Sequence, residues 1–295
     1  MNANPVLFNR KLLQARMRRA LALGPETFLI DRVAADLAER LGAVLRQFDV
    51  AVDLGTPTDA VRDALADNAS IGTLIAASAV PRSAPAIVAD EEALPLRDAS
   101  LDLVVSALAL QFVNDLPGAL VQIRRALKPD GLFLAALLGG DTLTELRQSF
   151  AAAETEIEGG LSPRVAPFAD VRDMGALLQR AGFALPVTDV ERLTVRYSSP
   201  FILMGELRRM GATNVLAERR RQPLRRATLT RMAEIYAQRF ADPDGKIRAT
   251  FEVIWLSGWA PHESQQKPLR PGSAQMRLAD ALGTREIGTG EKAGN

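Results

Sequence analysis

The sequence predicts an α/β fold: a doubly wound, mostly parallel sheet of seven strands with helical insertions. Two observations carry this. In the first half, short apolar runs alternate with segments whose apolar residues recur at helical spacing, the pattern of parallel strands joined by covering helices. In the second half, two strand-like runs flank two helical ones. That late pair would finish the sheet, with one strand antiparallel at an edge.

Each element has its own signal. Leu29, Val33, Leu37, Leu41 and Leu45 recur every four residues and predict a helix over 28–45. Val50-Ala-Val-Asp-Leu-Gly55 is a short buried strand closing on glycine, followed by a helical turn or two over 60–65. Strands follow over 71–77, 86–89 and 101–108. A helix over 116–127 is stopped by Lys128-Pro-Asp-Gly131, and a strand over 132–138 ends in Gly139-Gly140. Helices over 142–156 and 170–180 come next, the latter ended by Gly182. Residues 189–197 alternate like a strand, 200–210 and 224–240 read as helices, and a final strand runs over 250–259. Trp255 and Trp259 lie four apart in that strand, so they share a face and belong to the core.

Composition narrows the function. With 47% hydrophobic and 24% charged residues over 295, the chain is globular. Lys+Arg of 36 against Asp+Glu of 35 gives no general basic surface, so no nucleic-acid partner is expected. There is no cysteine, so disulfides, thiolate metal sites and a cysteine nucleophile are excluded. The single histidine, His262, excludes a His-rich metal centre, and no metal is expected. No acid precedes Glu26, while Arg10, Lys11, Arg16, Arg18 and Arg19 do. This start reads as a short basic helix in preference to a transit peptide.

In a doubly wound sheet, ligands bind beyond the carboxyl ends of the strands, so strand-end residues are the candidates. They are Asp53 and Gly55 after the first strand, Asp90, Glu91 and Glu92 after the third, Ser106 to Gln111 after the fourth, and Gly139, Gly140 and Asp141 after the fifth. Asp141 and Glu145 are four apart and would share a helix face able to hold a guanidinium. Alternatively, Asp141 is a helix N-cap. Glu154, Glu156 and Glu158 would clasp a basic peptide or form a solvated helix end, and His262 would be a general base or structural. Arg219, Arg220, Arg221, Arg225 and Arg226 form a local basic run that would meet anionic lipid, nucleic acid or an acidic partner, or face solvent.

Asp53-Leu-Gly55, Leu101-Asp-Leu-Val-Val-Ser-Ala-Leu108 and Leu127-Lys-Pro-Asp-Gly131 resemble class I S-adenosylmethionine-dependent methyltransferases. Asp90-Glu-Glu-Ala-Leu-Pro95, Phe112-Val-Asn-Asp-Leu-Pro117, Gly139-Gly-Asp-Thr-Leu-Thr-Glu-Leu-Arg147 and Glu154-Thr-Glu-Ile-Glu-Gly-Gly-Leu-Ser-Pro163 narrow this. They resemble the complex I assembly factor 5 family, itself similar to malonyl-carrier-protein methyltransferases of biotin synthesis. The resemblance runs from Phe8-Asn-Arg10 to Ser273 and includes His262-Glu-Ser264. It implies a Rossmann-like methyltransferase fold and a respiratory complex I subunit as substrate or client, with membrane proximity. It also implies S-adenosylmethionine as cofactor and modification of an arginine, for which the pair spaced by four, Asp141 and Glu145, are the catalytic candidates. Asp53, Gly55, Ser78, Asp90, Glu91 and Ser106 would bind the cofactor. Domains are expected at 1–48 (helical segment), 49–262 (methyltransferase-like, with an insertion at about 198–245) and 263–295 (irregular tail, disordered beyond Leu282). The family core starting near Phe8 favours a bacterial cytoplasmic protein, at the inner membrane surface, over a mitochondrial matrix one.

The chain departs from the family's glycine motif, Asp-x-Gly-x-Gly-x-Gly. It reads Asp53-Leu-Gly-Thr-Pro-Thr-Asp59, with Pro57 and Asp59 where glycines let backbone approach the cofactor. At the end of the second strand, Ser78 stands where an acid would bind the ribose hydroxyls. A histidine expected after the fourth strand is replaced by Gln111-Phe112. Two further readings therefore stand beside the enzyme: a non-catalytic assembly chaperone, and a carboxyl-methyltransferase of biotin synthesis.

Overall fold

The computed structural model describes residues 6–266, 280 and 282–285. The chain divides into two compact units, 1–261 and 262–295, and all the helices and strands named below lie in the first. Most of the expected irregular tail, including 286–295 of the segment expected to be disordered beyond Leu282, lies outside the described residues.

The sheet forms because seven segments with extended-strand patterning can be laid side by side. They are β1 (Phe48–Leu54), β2 (Ile71–Ser78), β3 (Ala86–Val88), β4 (Leu101–Ala107), β5 (Leu127–Leu138), β6 (Ala184–Tyr197) and β7 (Ile247–Trp259). Their order is β3-β2-β1-β4-β5-β7-β6. The first five are parallel, and β7 pairs antiparallel with both β5 and β6. The carboxyl ends of β1 to β5 therefore share one edge.

The antiparallel strand is not at the edge as expected. β7 lies inside the sheet and β6 forms the edge. The reason is patterning. Phe251 to Leu256 are all buried, which demands cover on both faces. β6 instead alternates, with Thr188, Glu191, Arg192 and Arg196 interleaved among apolar residues, as suits a half-exposed border.

A second difference lies in β5. Lys128-Pro-Asp-Gly131 does stop a helix, but it does not separate helix from strand. β5 already starts at Leu127, which pairs with Leu101, and the next pair is Leu103 with Leu132. The intervening residues bulge out of register. Asp130 is left-handed there (φ 63°) and its N–H donates to the Ala260 carbonyl at 3.1 Å. Gly131 has no room for a side chain, since a Cβ would lie 2.9 Å from the Lys128 carbonyl oxygen.

Helices cover both faces. α1 (Arg10–Ala22) is the basic N-terminal helix, capped by Asn9, whose Oδ1 accepts from Leu12 N–H at 2.9 Å. α2 (Phe28–Gly42), α3 (Ala60–Ala64) and α5 (Thr144–Glu158) pack on one face, with α7 (Pro200–Arg209) and α8 (Arg226–Phe240) from the segment between β6 and β7. Their core is built on Leu37, Leu41, Leu103, Tyr236, Phe251 and Trp255. α4 (Leu116–Ala126) and α6 (Val171–Arg180) bury Leu120, Ile123 and Leu178 with Phe133 and Ile254 on the other face. Trp255 is buried and Trp259 packs half-buried against the same core. Among the described residues, no helix is long and apolar enough to cross a membrane.

Candidate functional site

The loop after β1 sits where the fold places its ligands. Gly55 adopts φ 74° and its N–H donates to the Ala77 carbonyl at 2.7 Å. Positive φ favours glycine here, but the space beside it is filled. A Cβ on Gly55 would lie 2.6 Å from Glu91 Oε1 and 2.9 Å from Ala109 Cβ. Asp53 is buried and accepts a hydrogen bond from the Thr56 hydroxyl. Thr56 Oγ1 also accepts from the Ala107 N–H at 3.1 Å, and Ser106 Oγ donates to the Leu54 carbonyl at 2.7 Å. Asp53, Thr56 and Ser106 thus clamp β1 to β4. Burial pushes the Asp53 carboxyl up to about 7, against the opposing pull of the Thr56 bond and Arg82.

The other expected cofactor residues are engaged by the chain itself. Ser78 Oγ accepts from the Val80 N–H at 3.2 Å, holding the turn after β2. From that turn Arg82, whose side chain is 7% exposed, reaches back over the loop after β1. It donates to the Thr56 carbonyl at 3.2 Å and pairs with Asp59 at 3.7 Å. After β3, the Arg10 guanidinium pairs with Asp90 at 3.2 Å, with Glu91, and with Glu92 at 3.9 Å. Arg10 also donates to the Phe112 carbonyl at 3.3 Å, and Asn114 Oδ1 accepts from the Phe8 N–H at 2.7 Å. The acidic triplet therefore anchors the start of α1. Arg10 and Arg82 are the residues that sequence reading did not place here. Arg82 had one visible signal, a lone cation in Val80-Pro-Arg-Ser-Ala-Pro85.

Asp141 and Glu145 do not share a helix face. α5 starts at Thr144 with left-handed Leu143 before it, so Asp141 is outside the helix and does not cap it. The cause lies in Thr142, whose Oγ1 accepts from the Glu252 N–H at 3.0 Å and donates to the Glu252 carbonyl at 3.1 Å, tying this loop to β7. Asp141, about half exposed, pairs with Arg192. Glu145 is buried and accepts from the Thr250 N–H at 3.1 Å and the Thr250 hydroxyl at 2.5 Å.

Glu154, Glu156 and Glu158 are also paired, and of the basic run Arg220 and Arg225 are their partners while Arg219 donates to the Leu216 carbonyl at 3.0 Å. Glu154 is buried, holds Arg164 and accepts from the Ser162 N–H at 2.8 Å, which closes the Gly-Gly-Leu-Ser-Pro segment on itself. Glu156 pairs with Arg231 at 2.6 Å. Glu158 accepts from the Thr228 hydroxyl at 2.7 Å and from Arg220 at 2.6 Å, with Arg225 at 3.6 Å, and the Thr228 bond first and the Arg220 bond second hold its carboxyl below the usual range. His262, in the second unit, is exposed, with Nδ1 2.7 Å from Ser264 Oγ. Among the described residues, no three His, Asp or Glu side chains are grouped to hold a metal.

Beyond the ends of β4 and β5 lies a cavity of about 290 Å³. Leu108 and Leu138 form its floor at the strand ends, and α5 contributes Leu146 and Phe150. Met17 of α1 and Met204 of α7 wall it as well. Pro57, Thr58 and Gln111 line it from the loops after β1 and β4. None of Asp53, Gly55, Ser78, Asp90, Glu91, Ser106, Asp141 and Glu145 is among its lining residues.

Comparisons with known proteins agree on the fold. Residues 48–135 match the methyltransferase domain family. The chain is 39% identical over 288 residues to the mitochondrial arginine-hydroxylase NDUFAF5 of Homo sapiens, spanning 93% of this chain and 83% of that one. It is 42% identical over 190 residues to a malonyl-[acyl-carrier protein] O-methyltransferase of Laribacter hongkongensis, spanning 64% of this chain and 61% of that one. Among solved structures, the YcgJ protein of Bacillus subtilis superposes with a TM-score of 0.52 at 14% identity, over 78% of this chain and 99% of that one. At that identity the likeness is one of fold.

Proposed function

Because this chain belongs to the family of the mitochondrial arginine-hydroxylase NDUFAF5, we propose that it acts as a methyltransferase-fold factor in the assembly of respiratory complex I. The observation that carries this reading is the reach of the similarity, through 93% of the chain. The same reading places the protein in the bacterial cytoplasm at the inner membrane surface, or in the mitochondrial matrix of a eukaryote.

The residues present do not fit S-adenosylmethionine. A cofactor laid across the loop after β1 needs open space at Gly55, approachable backbone beyond it and an acceptor at the end of β2. Glu91 fills the space at Gly55, Pro57 and Asp59 replace glycines, Arg82 caps the Thr56 carbonyl, and Ser78 holds its own turn. We therefore derive no methyl transfer for this chain, and read its role as binding a complex I subunit during maturation.

A second reading, modification of an arginine on that subunit, is favoured by the activity that names the family's relatives. Of the two carboxylates first assigned to it, Asp141 is the one able to exchange Arg192 for another guanidinium, because it is half exposed. Glu145 is held by Thr250. The carboxyl-methyltransferase reading needs the same cofactor that the loop does not fit.

Complementation tests the proposal. The chain is expressed in bacteria lacking their own family member, and assembled complex I is measured on native gels and by NADH oxidation. Restoration by wild type and by Asp141→Ala alike supports a binding role. Restoration by wild type alone supports arginine modification. A well-expressed chain that restores nothing overturns both.

A further inference from the structure

The cavity beyond β4 and β5 has an unbalanced charge pattern. Its volume of about 290 Å³ lies near the lower end, about 300 Å³, of small-molecule sites. Its walls are mostly hydrocarbon, from Leu108 and Leu138 at the sheet edge to Met17, Leu146, Phe150 and Met204 on three helices. Glu26 is the one carboxylate among its described lining residues, and Arg209 holds it. Arg164 is held by Glu154, with its guanidinium 5.8 Å over the Phe150 ring. Arg208 is left over. It is exposed in the last turn of α7, with no carboxylate in ion-pair reach among the described residues.

With Arg164 held by Glu154 and Arg209 by Glu26, Arg208 leaves one uncompensated positive charge at the cavity, which disfavours a cationic ligand because a second cation there would be repelled as well as desolvated. The carboxylates elsewhere on this edge offer no relief: Glu91 is taken by Arg10 and Asp141 by Arg192. An apolar interior closed off by a free cation suits a molecule of the opposite design.

We infer that this cavity binds a single-chain amphiphile with an anionic head, of the fatty-acid class. Its hydrocarbon chain lies against Leu108, Leu146, Phe150 and Met204, and its carboxylate meets Arg208 at the exposed rim. The site does not rest on the assembly reading, since it needs only the fold and these side chains.

Isothermal titration of the full chain with decanoate, decanol and decyltrimethylammonium, each below its micelle concentration, tests this. Decanoate binds tightest, and Arg208→Gln weakens it by about fivefold while decanol is unchanged, as loss of one partly solvated ion pair dictates. Met204→Trp, which fills the cavity, removes binding of all three. Equal affinity for the three ligands, tighter binding of the ammonium, or decanoate affinity unchanged by Arg208→Gln each overturn the inference. The exposed Arg208 substitution leaves the core intact, so the test stands even if Met204→Trp fails to fold.

Discussion

The guanidinium of Arg82 donates to the carbonyl oxygen of Thr56 at 3.2 Å, across the loop where a methyltransferase lays its cofactor. The chain thus closes its own crevice with a nearly buried cation that also faces Asp59. Titration of the protein with S-adenosylmethionine or S-adenosylhomocysteine should release no heat at millimolar ligand. Micromolar binding would sink the argument from Arg82, Glu91 and Pro57 together.

Arg10 is the strap that holds α1 to the sheet edge. Its side chain is 14% exposed and faces three carboxylates, of which Glu91 is buried. Arg10→Ala leaves the Glu91 charge without its partner and should cost about 3–5 kcal/mol of stability, the range for breaking a buried pair. Urea unfolding followed by circular dichroism measures it. A midpoint unchanged from wild type would show that the acidic triplet is solvated after all.

Asp53 makes stability depend on pH. Its carboxyl titrates near 7 in the folded chain against an ordinary 3.8, because burial penalises the charged form. The folded state therefore holds the proton more tightly than the unfolded one. The contribution is fully present below the unfolded value and is lost as pH rises through about 7. The loss amounts to roughly 4 kcal/mol at about 1.4 kcal/mol per unit. Asp53→Asn keeps an acceptor for Thr56 and removes the titration. The difference in unfolding free energy between variant and wild type should grow from pH 4 to pH 7 and then level off, by about that amount. A flat difference would contradict the burial argument.

Glu145 and Asp141 should behave oppositely despite their proximity in sequence. Thr250→Val strips the hydroxyl that donates to the buried Glu145 carboxylate and should cost about 1–3 kcal/mol. Asp141→Asn loosens a solvated pair with Arg192 and should leave the unfolding midpoint where it is. Finding the larger loss at Asp141 would mean that the loop before α5 carries more of the fold than its exposure suggests.

The parallel half of the sheet was readable because each strand there is a compact apolar run closed by a strand-end residue. Asp53, Ser78, Asp90, Glu91 and Ser106 do gather along one edge, as strand-end positions must in a parallel sheet. Their partners were not readable. Arg10 is 80 residues from Asp90 and Arg82 is 26 from Thr56, and nothing local marks a cation for burial. The Asp141–Glu145 pairing failed because spacing by four implies a shared face only within a helix, and Thr142 had already tied that loop to Glu252. The position of β7 follows from its largely apolar, continuously buried run Phe251 to Leu256, which belongs inside, while the alternating β6 belongs outside.

The seating of β7 between β5 and β6 has a consequence for how the protein is made. Among the described residues β6 pairs with no other strand, so residues 184–197 stay unpaired until 247–259 have left the ribosome. The far side of the sheet is thus finished only after α7 and α8 have emerged ahead of β7. A nonsense mutation just before Ile247 would remove two strands from the sheet, and would leave a solvent-facing row of unpaired backbone on β5 as a template for association with other chains.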